Sequence, residues 1–252
     1  MFAAPDSVSP AHDADAAAPP PAAHASRWED FVDIFYAPTA VFTRRRDSGF
    51  GLPLLVVTVL SAVIVLASWN ALSPILDAEF SRRMASMAKK GITPEQAAAG
   101  RAIGEKVARF GVVLGPPVLI FVTGFVLWLC GKLVGAKQTL TAAIMVAAFA
   151  NVPRLLSAVL SAVQALLMDP ARLNSRYSIT LGAGRLLDPD TAAPMLLAIA
   201  GRIDLFTIWA TVLLAIGLAV TGRIPRGKAA IAAALVWVLG SLPDLLGALQ
   251  AS

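Results

Sequence analysis

The chain has 252 residues, of which 57% are hydrophobic and only 15% charged, with 21 Lys and Arg against 16 Asp and Glu for a net charge of +5. Soluble domains carry about 25% charged residues, so this composition excludes an ordinary water-soluble enzyme and points to a membrane protein. The first 26 residues hold three acids (Asp6, Asp13, Asp15) and no base before Arg27, so the remainder carries 21 bases against 13 acids. That excess is spread through short loops with no basic-aromatic platform, which argues for lipid headgroups rather than nucleic acid as its counterpart. A single Cys130, and histidines (His12, His24) only in the tail, leave no internal disulfide and no expected metal site or cofactor.

Residues 1–25 are Ala, Pro, Asp and Ser with scarcely any large apolar group, too little to offset the entropy of ordering, and are expected to be disordered. They lack the basic start and apolar stretch of a signal peptide. Ser26-Arg27-Trp28-Glu29 has the spacing of a capping box, so a helix is expected to start there. Trp28, Phe31, Val32 and Phe35 recur at helical steps on one face, away from Glu29, Asp30 and Asp33, until Pro38 breaks the run. Residues 26–51 therefore read as an amphipathic interfacial segment, with Arg44, Arg45 and Arg46 as headgroup anchors; docking to a partner is the alternative.

Five apolar runs, about 52–73, 109–131, 139–168, 203–222 and 229–249, are long enough to cross a hydrocarbon core of about 30 Å, which takes about 20 helical residues. Each must be helical, because lipid offers the backbone no partners. The expected fold is all-α, a five-span membrane bundle over residues 52–249 with its termini on opposite sides. Two short connections carry only bases (Lys132 and Lys137; Arg223, Arg226 and Lys228), and with Arg44–Arg46 they fall on one side, which the positive-inside rule places in the cytoplasm together with the N-terminus. Between spans one and two, Ile75, Leu76, Phe80, Met84 and Met87 keep helical spacing up to Gly91, and Thr93-Pro94-Glu95-Gln96 reads as a helix start. A helical hairpin projecting about 25 Å beyond the bilayer is expected. Residues 169–202 read as turns followed by a short interfacial helix near Ala192–Ala200.

Charges inside spans are the first place to look for function. Arg154 lies 17 residues from Lys137, Asp204 lies 19 from Arg223, and Asp244 lies 16 from Lys228, which places all three about 24–28 Å from the basic side. They are expected to form a structural ion cluster at the outer ends of spans three to five, with Asn151 nearby. Pro153 is expected to kink span three by leaving the Phe149 carbonyl without its donor, with the Asn151 amide covering such a group, and Pro116-Pro117 to bend span two. Gly111-x-x-x-Gly115 and Ser157-x-x-x-Ser161 offer close helix packing. No H-E-x-x-H, G-x-S-x-G or phosphate-loop signature occurs, so no enzyme is expected.

The segment Asp30-Phe-Val-Asp-Ile-Phe-Tyr-Ala-Pro38-Thr-Ala-Val-Phe42, Asn151-x-Pro153, and Asp204-Leu-Phe206-Thr-Ile-Trp209 followed by Leu213–Leu218 and a basic turn resemble, in this order and over about residues 28–249, the bacterial branch of the Yip domain family. The resemblance implies five spans with a cytoplasmic N-terminus, and the Ala- and Arg-rich composition, with no N-x-[ST] sequon, fits a bacterial inner membrane. Eukaryotic relatives are membrane adaptors that bind Rab-type GTPases through a sizeable cytosolic region. Here that region shrinks to a tail and one helix, which counts against a Rab-type GTPase partner. The expectation is a non-enzymatic adaptor or scaffold in the lipid bilayer, with a membrane-protein partner or a second copy of itself. The rival is a small transporter or channel lined by Arg154, Asp204, Asp244 and Asn151, and a weaker third reading is an accessory subunit.

Overall fold

The computed structural model describes residues 26–89, 91 and 93–251; the tail expected to be disordered, 1–25, lies outside them. Ten α-helices follow one another: α1 Asp30–Asp33, α2 Pro38–Arg45, α3 Gly51–Ala67, α4 Trp69–Lys89, α5 Pro94–Leu133, α6 Leu140–Ala150, α7 Val152–Leu167, α8 Pro194–Arg202, α9 Leu205–Gly222 and α10 Arg226–Ala251. Three short 3-10 turns lie between α7 and α8. Among the described residues the only sheet-like pairing is a bridge between Gly182 and Asp204, so the all-α expectation holds.

Helix α6 sits at the centre, between α5 and α9 and touching α3. Its sequence is apolar on every side, the pattern of a helix with no face left for solvent, and residues 142–150 are buried throughout. Small side chains let its neighbours come close. A methyl group at Gly124 of α5 would lie 2.7 Å from the Ile144 Cα of α6, so only glycine fits that crossing. Helices α9 and α10 pack on each other and on α6 and α5 respectively. Ala143, Met145, Val146, Ala147, Ala148, Leu213, Leu218, Ala232 and Ala233 fill the interior at 0–1% exposure.

Phe110–Leu133, Leu140–Leu167, Leu205–Gly222 and Arg226–Gln250 are each long and apolar enough to cross a membrane, and α3 with the start of α4 makes a fifth when that bent pair is counted as one span. The first span is not the straight run over 52–73 that its hydropathy suggests. It stops after 17 residues at Ala67, and α4 leaves at 80° to α3. The Ser68 hydroxyl donates to the Ile64 carbonyl (2.6 Å), as does its own N–H (3.0 Å), which closes α3. Leaving the axis, α4 places Ile75 in a second small core with Ala165, Leu173 and Ile179. Pro74 is tolerated because the Ser73 hydroxyl donates to Asn70 O (2.8 Å), the carbonyl the proline cannot serve.

The expected hairpin is present, leaning with α4. Arg101 of α5 reaches Asp77 of α4 (3.0 Å) and lies over the Phe80 ring (4.7 Å). The Thr93–Gln96 capping box forms as the spacing predicts, and Gly91 has the left-handed φ of +79° that suits the turn. Span three is interrupted at Asn151, two residues before the proline expected to kink it, yet runs on through α7 as one span.

Candidate functional site

Polar groups gather at both ends of the bundle, and neither assembly matches the sequence expectation in full. At the end bearing the N-terminal segment, Glu29 accepts from Ser26 N (2.9 Å), but the serine oxygen accepts from Trp28 N rather than closing the box. Only four residues of α1 are helical. The inward face is rotated from the expected one: Ile34 and Asp30 are fully buried, while Trp28, Val32 and Tyr36 are 62–72% exposed. Phe31 stacks near Phe149 of α6 (5.5 Å) and Phe35 meets Trp209 of α9 edge-on (5.6 Å), so both pack on protein. Phe42 of α2 is fully buried against Phe149 and over Gly217 of α9.

Asp30 is the polar centre of this docked segment. Its carboxylate accepts from Arg44 (Nη2, 2.7 Å) and from Arg45, while Asp33 accepts from Arg44 and from the Tyr36 hydroxyl. Arg44 and Arg45 are engaged by this carboxylate, Arg45 through its Nε; a buried carboxylate needs paired donors, and they supply them. Arg46 is half-buried and forms no ion pair among the described residues. The Tyr36 hydrogen bond and Arg44 hold the Asp33 carboxyl below its usual range, and the Asp33 carboxylate pushes the Tyr36 hydroxyl above its own. The hydrogen bonds Arg44 donates to Asp30 and Asp33 raise its guanidinium pKa.

At the opposite end, residues 168–204 fold over the bundle as an ordered cap. Tyr177 is its centre post: Cβ atoms at Gly184 and Gly201 would lie 2.7 and 2.5 Å from its ring, so two glycines admit the aromatic between them. The polar side of α7 faces this cap. Ser161 Oγ and Gln164 Nε2 both donate to Ile179 O (3.0 and 3.1 Å), and Gln164 Oε1 accepts from Arg185 (2.9 Å). Helix α4 is tied in by Arg82 to Asp190 (3.2 Å) and to the Asn174 carbonyl, and by Glu79 accepting from Arg176 N (3.0 Å). Arg176 donates to the Tyr177 hydroxyl (3.0 Å) and pairs with Asp244 of α10 at 3.7 Å. Burial works against its charge, and Tyr177, Glu79 and Asp244 more than offset that. A cavity of about 350 Å³ opens here, with Glu79, Arg82, Arg83, Arg176 and Asp244 among its walls.

Among the described residues no direct ion pair joins Arg154, Asp204 and Asp244, although the Asp204 charge acts on Arg154 and the Asp244 charge on Arg202. Asp244 pairs with Arg176, and Asp204 caps α9 by accepting from Phe206 N and Thr207 N (3.0 and 3.2 Å). Among the described residues no carboxylate lies within 4 Å of Arg154. The cap, which has no counterpart in a depth count along spans, brings a competing arginine to Asp244. Arg202 of α8 donates to Trp237 O (3.4 Å), and burial pulls its guanidinium down. Its Nε and Asp204 Oδ2 are buried without a partner. The Asn151 amide donates to Ala147 O (2.8 Å), not to the carbonyl freed by Pro153. A methyl group added at Gly111 or Gly115 would meet no atom within 4 Å, so the close packing expected there falls to Gly124 and Gly217 instead. Sequence reasoning missed Asp30, Phe42, Arg176 and Tyr177. For Asp30 a signal existed, its four-residue spacing to Ile34.

A family model described as Yip1 domain matches residues 32–243. "Membrane protein YknW" of Bacillus subtilis (strain 168) is 27% identical over 206 residues, covering 81% of this chain and 83% of that protein. No solved structure matches.

Proposed function

The chain belongs to the Yip1 domain family of membrane proteins, and from that premise we propose that it serves as a non-enzymatic adaptor or scaffold in the bacterial inner membrane. Its N-terminus faces the cytoplasm, and its partner is another membrane protein or a second copy of itself. One observation carries this reading: the interior between α5, α6, α9 and α10 is filled by apolar side chains at 0–1% exposure, and the charged groups lie at the two ends. A solid core with ordered ends suits a part that presents surfaces rather than one that passes a solute. The test is crosslinking in native membranes followed by identification of what is joined, with Arg154→Ala and Asp204→Ala alongside. Recovery of one defined membrane partner or of a dimer supports the proposal, and transport of a solute by the purified chain in liposomes overturns it.

A small transporter or channel is the second reading. It draws on Arg202 Nε and Asp204 Oδ2, buried without partners at the outer end. Against it, the next polar group inward, Asn151, spends its amide on Ala147 O, and the residues beyond it are the packed apolar face of α6.

A further inference from the structure

Where the N-terminal segment meets the start of α3, a cavity of about 350 Å³ has Arg27, Asp30, Arg45, Ser48, Leu52 and Phe149 among its walls. These walls are of two kinds. Arg27, Arg45 and the Ser48 hydroxyl offer donors to an anion, whereas Leu52 and Phe149 offer only carbon. The one carboxylate, Asp30, is already engaged by both Arg44 and Arg45, so it is neutralised from behind. Arg27 is exposed and has no hydrogen bond or ion pair with another described residue, which leaves its fork of five donors for a ligand.

Leu52 heads a line down the outside of α3. Leu55, Val59, Val63 and Leu66 follow at steps of three and four, so they share its face, and each is 48–60% exposed. The site thus has a cationic head at the level where the first span begins and an apolar track leading from it along the span. The geometry points to a bound anionic phospholipid, its phosphodiester held by Arg27, Ser48 and the terminal guanidinium N–H groups of Arg45, whose Nε alone pairs with Asp30, and its acyl chains laid on Leu55, Val59, Val63 and Leu66. A free inorganic anion would use the head alone and would need neither Leu52 and Phe149 nor the track. This site is independent of the adaptor reading and stands or falls without it.

The test uses the full chain reconstituted in vesicles of equal phosphatidylglycerol and phosphatidylcholine, released into the gas phase, with retained lipid weighed by native mass spectrometry. The wild-type chain retains phosphatidylglycerol in preference to phosphatidylcholine. Arg27→Glu reduces that preference about five-fold or more, the effect of about 1 kcal/mol per basic group at a membrane surface. Arg226→Glu, which changes an exposed base on another element, leaves it unchanged. Because Arg27 is exposed, an unaltered far-ultraviolet circular dichroism spectrum certifies the fold of the variant. Equal retention by wild type and Arg27→Glu overturns the proposal, as does an equal loss in Arg226→Glu, which would mark a general charge effect. Full displacement of phosphatidylglycerol by inorganic phosphate at constant ionic strength also overturns it, by assigning the site to a free anion.

Discussion

A methyl group at Gly217 would stand 2.4 Å from Val146 Cγ1 and 3.2 Å from Phe42 Cζ. Val146 is β-branched and stiff, so α6, α9 and the docked Phe42 would have to part. Gly217→Ala is expected to cost about 1–3 kcal/mol, read as a lower unfolding midpoint in detergent together with faster tryptic cutting at Arg44–Arg46. Gly111→Ala and Gly115→Ala, with open space around them, should change stability by less than about 0.5 kcal/mol. The Asp33–Tyr36–Arg44 group gives a pH signature with two edges. A folded-state carboxyl pKa below the unfolded one stabilises docking above pH about 4 and is lost as pH falls through the folded value. A raised Tyr36 pKa stabilises docking below pH about 10 and is lost as pH rises through the folded value. Tryptic cutting at Arg44–Arg46 should accordingly be slow at neutral pH and quicken towards alkaline pH, with Tyr36→Phe removing the alkaline edge; the acid edge is read by Trp28 fluorescence. At this scale the sequence was legible in its residue types and misleading in their partners. Arg44 and Arg45 announce a charge requirement, but Asp30 lies 14 and 15 positions upstream, and only the turn between α1 and α2 brings them together.

The cap between α7 and α8 depends on one aromatic. Tyr177→Ala should empty the slot between Gly184 and Gly201 and cost about 3–4 kcal/mol in the manner of other large aromatic truncations, measured as local loss of amide-exchange protection over 169–204 while α5, α6 and α9 stay protected. Elements with strong local signals were the ones visible beforehand. The Thr93–Gln96 start of α5, the break at Asn151 before Pro153 and the short helix α8 all carry their cause within a few residues. The turn at Ser68 does not. Residues 52–73 are apolar almost without interruption, and what ends the helix is a hydroxyl folding back on Ile64 plus a distant reward, the burial of Ile75 against Leu173 and Ile179. The cap was unreadable for the same reason: turns rich in Gly and Pro mark where a chain bends, and Tyr177 names its two glycines only once the bend is made.

For the whole molecule, counting the bent α3–α4 pair as one span puts the N-terminal segment and the turn at 223–225 on one side and the cap on the other. Cysteines introduced at Ser26 and Gly227 should therefore be labelled by an impermeant thiol reagent from one face of sealed membranes and a cysteine at Leu186 from the other, Cys130 being buried; Leu186 is 86% exposed. Labelling of Ser26 from the same face as Leu186, opposite Gly227, would refute the five-crossing count and leave α3–α4 a re-entrant pair. Four spans were available from hydropathy, and the fifth as a bent pair, because lipid imposes length and apolarity on any crossing helix. Which helix sits at the centre was not, since an apolar surface facing lipid and one facing protein read alike. Helix α3, at 17 residues, measures about 25 Å against a hydrocarbon core of about 30 Å, whereas the 26 residues of α10 reach about 39 Å. A lipid collar matched to α3 alone and to an untilted α10 would not have one height. It would dip beside α3 and stand full beside α10, and that lopsided rim would lower the elastic cost of residence wherever the bilayer is already thin.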